Sequence, residues 1–150
     1  MYQNQKQQDK KREEIVAEAM SWYGTPYHHA AKVKGGGVDC AQILIAVYSN
    51  VGMIEDFKTE YYPMDWALHR GEERYLSYIL KYAEETSEPK KGDIVLYKFG
   101  RCISHAGILI DDEHIIHSWL HAKSVAVTKI EEGELEGRVA GYYTLFKKGK

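Results

Sequence analysis

Apolar residues recur at helical spacing near the start of the chain. Ile15, Ala19 and Trp22 fall on one side of a helix drawn over residues 10–23, so this stretch predicts an amphipathic helix with one buried face. The segment Gly24-Thr25-Pro26 follows directly. Because glycine suits a helix C-terminus and proline does not continue a helix, we expect the helix to end there.

A second stretch is apolar at almost every position. It covers residues 41–48 and is bounded by Asp39, a residue type favoured as N-cap, and by Gly52. A helix that is apolar on all sides is buried, so we expect this one in the centre of the domain. A third helix is predicted over residues 72–85.

After the turn signal Pro89-Lys90-Lys91-Gly92-Asp93, short apolar runs alternate with polar turns. Such runs predict strands, and we expect five of them. They cover residues 94–97, 105–110, 114–119, 124–130 and 139–146. Helices followed by an antiparallel meander indicate an α+β fold, with N-terminal helices packed on a C-terminal sheet. The 150 residues suit one domain. We expect residues 1–9 to be flexible and residues 10–150 to form this domain.

Composition narrows the range of partners. The formal net charge is −2, which gives no electrostatic reason to expect a nucleic acid. The two cysteines, Cys40 and Cys102, are too few for a secreted disulfide scaffold, although they could form one disulfide. The first 14 residues lack the apolar segment of a signal peptide, and no run of 18 apolar residues occurs. We expect no membrane insertion, and a protein kept in the cytoplasm or released without the secretory route.

Cys40, His105 and His117 are the candidate chemical residues. A thiol followed along the chain by an imidazole, which a second polar ring orients, is the minimal set for a cysteine hydrolase. Cys40 falls in the first turn of the predicted buried helix, where the partial positive charge of the helix N-terminus favours a thiolate. The turn at residues 111–113 makes the two histidines cross-strand neighbours. If they share a face, we expect His117 to accept the Nδ1 proton of His105.

Other interpretations of these residues are open at this point. A cysteine on an apolar helix is more often a small core residue than a nucleophile, and we interpret Cys102, in a turn-like stretch, as structural. His114, His117 and His121 have gaps that resemble those of metal ligands. A strand, however, puts His114 and His117 on opposite faces, so we predict no metal site.

Five short motifs in this chain resemble the NlpC/P60 family of cysteine peptidases. In chain order they are Gly24-Thr25-Pro26-Tyr27, Asp39-Cys40, Pro89-Lys90-Lys91-Gly92-Asp93, His105-Ala106-Gly107-Ile108 and Ile116-His117. The resemblance implies a papain-like α+β fold in which Cys40 is the nucleophile, His105 the base and His117 the orienting residue. It implies hydrolysis of an amide in the peptidoglycan stem peptide, typically between γ-D-glutamate and a diamino acid, with no metal or cofactor.

The resemblance also suggests substrate-binding residues. Tyr27 matches a family tyrosine whose hydroxyl helps to bind substrate, and Asp39 and Gln42 flank the nucleophile. Many family members have serine and glycine after the cysteine, where this chain has Ala41 and Gln42, so Gln42 is expected to narrow or alter the pocket. Trp66 belongs to an aromatic stretch, residues 61–66, that is either a groove wall or a surface loop packed on the core.

Within the family, the chain is most similar to cell-wall peptidases of phage tails and gene-transfer agents. The similarity rests on the stretch at residues 24–35 and on the segment Tyr62-Pro63-Met64-Asp65-Trp66. It implies peptidoglycan and phage-tail proteins as partners, and location in a virion. Three alternatives are open: a non-catalytic tail-assembly component, a cytoplasmic thiol hydrolase that recycles murein peptides, and a lipid acyltransferase-like enzyme. In relatives of the last kind the histidine usually precedes the cysteine, whereas here Cys40 comes first.

Overall fold

The computed structural model describes residues 4–55 and 80–146, and the structural statements below concern these residues. Most of the predicted third helix, and Trp66, lie outside them. Besides two short 3₁₀ helices, the described elements are two α-helices and eight β-strands. In chain order they are α1 (Gln5–Met20), β1 (Lys32–Val33), β2 (Gly37–Val38), α2 (Cys40–Asn50), β3 (Glu84–Glu85), β4 (Ile94–Phe99), β5 (Cys102–Leu109), β6 (His114–Trp119), β7 (Ser124–Lys129) and β8 (Val139–Thr144).

The first helix begins earlier than the apolar pattern predicts. It starts at Gln5, so part of the segment expected to be flexible is helical, because the side chain of Asn4 accepts a hydrogen bond from the Gln7 N–H at 2.8 Å. Its predicted buried face is confirmed, since Ile15 and Ala19 are fully buried. The helix ends at Met20, and Gly24 follows with a φ of +83°.

The second helix agrees closely with its prediction. Asp39 is its N-cap, and every residue from Cys40 to Tyr48 is buried. The helix packs against α1 on one side and against β5 and β6 on the other. The all-round apolar pattern therefore identified the central helix of the fold.

The main sheet has six antiparallel strands in the order β3-β8-β4-β5-β6-β7. Strands β4 to β7 form the predicted meander, but β8 does not continue it and returns to pair with β4, with Ile94 opposite Tyr143. The predicted third helix is wrong at its end, because Glu84 and Glu85 form strand β3 on the outer edge of β8. Cys102 begins β5 rather than lying in a turn.

Apolar residues cover both faces of this sheet. One face packs on the helices through side chains such as Leu96, Ala106 and Ile108. The opposite face carries a smaller cluster centred on Val95, Tyr97, Leu109, Ile115 and Leu135. The fold is therefore α+β, with the helices on one face of an antiparallel sheet, as the pattern predicted.

The turn before β4 makes hydrogen bonds with α1, α2 and β5. Asp93 is buried and accepts a 2.8 Å bond from the Arg12 guanidinium on α1. The Tyr48 hydroxyl on α2 donates to the carbonyl of Gly92, and the Gly92 N–H donates to the carbonyl of Leu109 on β5, each at 2.7 Å. Gly92 has a φ of +88°, a conformation that favours glycine. This motif therefore has a structural role, which sets the position of α2 against the sheet.

Candidate active site

Cys40 is the first residue of α2, and Asp39 before it is the N-cap. The fully buried Asp39 carboxylate accepts hydrogen bonds from the N–H groups of Ala41 and Gln42 through one oxygen, at 3.1 and 2.9 Å. Its other oxygen accepts the N–H of Ala30 at 2.8 Å. The cap therefore holds both the start of the helix and the preceding loop, and the thiol lies in the positive field of the helix N-terminus.

The segment before Cys40 is attached to Lys123, the residue just before β7. The Tyr27 N–H donates to the carbonyl of Lys123, and the Val38 N–H donates to the carbonyl of Pro26, at 2.9 and 3.0 Å. The Thr25 hydroxyl accepts the N–H of Gly35 at 3.0 Å. These bonds connect the Gly24-Thr25-Pro26-Tyr27 motif to the backbone that leads to Cys40.

Strands β5 and β6 separate where Cys40 approaches them. Ile108 pairs with Ile116 and Leu109 pairs with Ile115. The pairing does not extend over the rest of the two strands, although β5 begins at Cys102 and β6 continues to Trp119. The start of α2 lies at this separation. Cys40 Sγ is 3.7 Å from the carbonyl oxygen of Ser104 on β5, and the Ser118 hydroxyl on β6 donates to the carbonyl of Val38 at 2.6 Å.

His105 and His117 are in direct contact. His105 Nε2 and His117 Nδ1 are 2.7 Å apart, and the ring centroids are 4.9 Å apart. The two side chains share a face of the sheet, as the sequence hypothesis required. The hypothesis was wrong about the nitrogen, because Nε2 of His105, not Nδ1, faces His117. Nδ1 of His105 is therefore the ring nitrogen that does not contact His117.

Gly107 makes the contact between the histidines possible. Counting on from the recorded pairs, Gly107 stands across from His117, and His105 lies two residues away along β5. A Cβ on Gly107 would come within 2.8 Å of Ile115 Cδ1 and 3.4 Å of His117 Cβ. The missing side chain therefore lets the His117 ring lean diagonally towards His105.

Burial keeps both imidazoles neutral. His117 is fully buried, and desolvation lowers its pKa from 6.5 to about 3. The pKa of His105 is also lowered well below 6.5, first by desolvation and then by the nearby His117 and His121. At neutral pH each ring therefore carries one proton, on one of its two nitrogens.

Aromatic and hydroxyl groups surround the pair. The rings of Tyr97 and Phe99 lie 5.7 and 6.5 Å from the His105 ring, and Trp119 lies 5.1 Å from the His117 ring. His117 Nε2 is 3.0 Å from the Thr128 hydroxyl on β7. Sequence reasoning missed Thr128 and Ser118, since a single hydroxyl on a strand carries no signal of its contacts.

The predicted substrate-binding residues have different positions in the fold. Tyr27 is half-buried beside β2, which leads to Cys40. Asp39 and Gln42 are fully buried at the start of α2. The structure therefore gives Asp39 a capping role, and substrate binding by these residues stays a prediction.

Cys102 and His114 have neighbours other than the histidine pair. Cys40 and Cys102 do not form a disulfide, and Cys102 stands opposite Phe99 at the end of the β4–β5 hairpin. His114 Nδ1 contacts the carboxylate of Asp111 rather than His117. Over residues 4–55 and 80–146, no three metal-ligating side chains converge, and no helix has the length and apolar character needed to cross a bilayer.

Solved structures with the same fold include several bacterial proteins. An NLP/P60-family protein, similar to lipoprotein, from Staphylococcus aureus subsp. aureus Mu50 aligns with a TM-score of 0.66 and 16% identity over 93% of this chain. The chain spans only 43% of that protein's length. The peptidoglycan hydrolase RipB from Mycobacterium tuberculosis aligns with a TM-score of 0.59 and 16% identity, over 95% of this chain and 67% of RipB.

A further similar structure is described as lacking catalysis. RipD from Mycobacterium tuberculosis, a non-catalytic NlpC/p60 domain protein adapted to peptidoglycan binding, aligns with a TM-score of 0.60 and 13% identity, over 95% of this chain and 97% of RipD. No curated protein sequence matches the chain. Residues 24–143 match the sequence model of the NlpC/P60 family, and this segment contains Cys40, His105 and His117. The chain therefore belongs to the NlpC/P60 family.

Proposed function

We propose that this protein is a cysteine amidase that hydrolyses the stem peptides of bacterial peptidoglycan. The observation that carries the proposal is that Cys40 Sγ lies 3.7 Å from the carbonyl oxygen of Ser104, the residue before His105, whose Nε2 is 2.7 Å from His117 Nδ1. A thiol at a capped helix N-terminus beside an oriented neutral imidazole is suited to nucleophilic acyl transfer. Family membership and the similarity to RipB, itself a peptidoglycan hydrolase, support the choice of substrate.

In the proposed reaction, His105 Nδ1 accepts the thiol proton as Cys40 Sγ attacks the amide carbonyl carbon. The carbonyl π bond opens to an oxyanion, which backbone N–H groups at the start of α2 stabilise. Collapse of this intermediate breaks the C–N bond, and His105 returns the proton to the leaving amine. Water, deprotonated by His105, then attacks the thioester and releases the acid and the free thiol.

Two finer assignments rest on sequence resemblance. We assign the cleaved bond as the one between γ-D-glutamate and a diamino acid, which is typical of the family. We assign the setting as a phage tail, because residues 24–35 resemble tail-associated peptidases. A cytoplasmic enzyme that recycles murein peptides would use the same chemistry on small soluble substrates.

The test is the release of peptides from purified peptidoglycan by the wild-type protein, by Cys40→Ala and by Cys102→Ala, with fragments identified by mass. We expect release by the wild type and by Cys102→Ala, and none by Cys40→Ala, because Cys102 lies at the far end of a hairpin. The fragment masses identify the bond. Release from soluble stem peptides but not from intact sacculi would favour the recycling enzyme.

Binding of the wild-type protein to peptidoglycan without release would contradict the proposal and favour the non-catalytic alternative, for which RipD is a precedent. Release that is lost in Cys102→Ala but retained in Cys40→Ala would show that the nucleophile is misassigned. Unfolding curves of all three proteins separate loss of chemistry from loss of structure.

A further inference from the structure

We propose that Thr128 is a positioning residue, whose hydroxyl sets the tautomers of His117 and His105 and so places the basic lone pair of His105 on Nδ1. This proposal rests on the proposed function for its catalytic meaning. The hydrogen-bond chain itself can be tested without any substrate.

The direction of the hydrogen bonds from His105 through His117 to Thr128 is set at Thr128. The Thr128 hydroxyl is 3.1 Å from the carbonyl oxygen of Lys129 and 3.0 Å from His117 Nε2. A carbonyl oxygen only accepts, whereas a hydroxyl has one proton to donate and lone pairs to accept. When the Thr128 proton goes to the Lys129 carbonyl, the hydroxyl accepts from His117, and Nε2 of His117 carries the proton.

The tautomer of His117 in turn sets the tautomer of His105. A neutral imidazole has one N–H and one lone pair, so a His117 protonated on Nε2 has its lone pair on Nδ1. The 2.7 Å contact then requires His105 Nε2 to donate to His117 Nδ1. Nδ1 of His105 is left with the lone pair, and that nitrogen can take the thiol proton.

The opposite orientation would disable the base. If Thr128 donated to His117 Nε2, His117 would carry its proton on Nδ1 and donate it to His105 Nε2. His105 would then be protonated on Nδ1, with no lone pair for Cys40. The Lys129 carbonyl would also lose its donor from Thr128.

Because the site is buried, the single hydroxyl of Thr128 is sufficient to set the tautomer of His117. His117 is fully buried and Thr128 is 8% exposed, so bulk water has little access to His117 Nε2 or to the Thr128 hydroxyl, and each of these groups depends on its partner in the protein. The pKa of His117, lowered to about 3, keeps its ring neutral, so that a single tautomer is defined at neutral pH. The tautomer of His117 therefore depends on the hydroxyl of Thr128.

The test compares Thr128→Val and Thr128→Ser with the wild type. Valine has nearly the shape of threonine but no hydroxyl, and serine keeps the hydroxyl. Thr144→Val is the matched control, because Thr144 is also buried on the main sheet and its hydroxyl accepts the N–H of Phe146, remote from the histidines in sequence and on a different strand. The measurements are the imidazole 15N shifts and long-range 1H–15N couplings, assigned with His105→Asn and His117→Asn, and the kcat and KM of peptide release.

In the wild type, in Thr128→Ser and in Thr144→Val we expect both histidines to be protonated on Nε2. Thr128→Val should show mixed tautomers at His117 and His105. We expect kcat to fall about 10- to 100-fold with KM little changed, by analogy with the loss of an outer hydrogen-bond partner of a metal-bound histidine. A wild-type His105 protonated on Nδ1, or unchanged tautomers in folded Thr128→Val, would overturn the proposal.

Two further outcomes are decisive. If Thr128→Val does not fold, the wild-type tautomers and the kcat of Thr128→Ser decide, and a His105 protonated on Nδ1 still overturns the proposal. If the tautomers respond to Thr128→Val as expected but the wild type releases no peptide, the hydrogen-bond chain is confirmed, and the proposed function alone has failed.

Discussion

At the scale of single residues, the candidate site depends on one missing side chain. Gly107 lies among His105, Ile115 and His117, and only the absence of a Cβ lets the second histidine lean towards the first. Its φ is outside the left-handed region, so the requirement for glycine here is steric and not conformational. The glycine of the motif His105-Ala106-Gly107-Ile108 is therefore explained by its packing against Ile115 and His117.

We expect Gly107→Ala to lower activity strongly and to cost about 1–3 kcal/mol of stability, as overpacking does. The new methyl group would meet Ile115 Cδ1 at 2.8 Å and push against His117, which would lengthen the bond between the imidazoles. Peptide release and urea unfolding measure the two effects.

Gly36→Ala is the matched control for this substitution. Its added Cβ would meet an exposed Val33 side chain at 3.0 Å, which is free to move, so we expect activity close to that of the wild type. Wild-type activity in Gly107→Ala would show that the contact between the histidines does not require the glycine.

At the scale of secondary-structure elements, helix caps have unequal importance. Both helices begin with a capping side chain, Asn4 for α1 and Asp39 for α2. The Asn4 side chain accepts one N–H at an exposed site, whereas the Asp39 carboxylate accepts three in the interior and also holds the loop at Ala30. The cap of α2 therefore joins the position of Cys40 to the fold of the preceding loop.

We expect Asp39→Ala to destabilise the protein by about 2 kcal/mol, at the upper end of the range for lost caps, and to lower activity by displacing Cys40. Asn4→Ala should cost about 1 kcal/mol or less and leave activity unchanged, because α1 carries no site residue. Urea unfolding midpoints and kcat provide the comparison. Equal effects of the two substitutions on kcat would argue that the cap of α2 does not position Cys40.

The element scale also shows how far sequence patterns reach. The strand pattern predicted residues 114–119 as a strand with the bounds that the structure has, and the apolar run predicted α2 with its cap. The pattern did not predict that β8 pairs with β4 or that Glu84 and Glu85 form a strand. Side-chain periodicity reports which face of an element is buried, but pairing depends on backbone partners that are remote in sequence.

At the scale of the whole molecule, two buried neutral histidines couple stability to pH. Desolvation lowers the pKa of both, with that of His117 falling to about 3, whereas the unfolded chain titrates near 6.5. Between these values the unfolded state binds protons that the folded state excludes. The free energy of unfolding is therefore greatest above pH 6.5 and declines as the pH falls towards the folded pKa.

We expect the pH dependence of stability below pH 6.5 to correspond to up to about one excess proton per buried histidine in the unfolded state. His117→Asn should reduce this slope by about one proton. The measurement is urea unfolding at a series of pH values between 4 and 8, expressed as protons taken up on unfolding.

His114→Asn is the control, because the His114 side chain is partly exposed, with 36% relative exposure, beside the carboxylate of Asp111. We expect it to leave the slope from the buried histidines in place. An unchanged slope in His117→Asn would contradict the assignment of a buried neutral imidazole at this position.

The sequence alone determined α1, α2 and the five strands β4–β8, the order of the motifs and the three candidate residues. These follow from apolar periodicity and from residue type, both of which are local properties. The tertiary structure decided the separation of β5 and β6 at Cys40, the return of β8 to β4, and the use of His105 Nε2 rather than Nδ1 towards His117. It also brought Thr128 to the site. The direction of a hydrogen bond and the register of a strand depend on groups that meet only after folding, and no spacing along the chain encodes them.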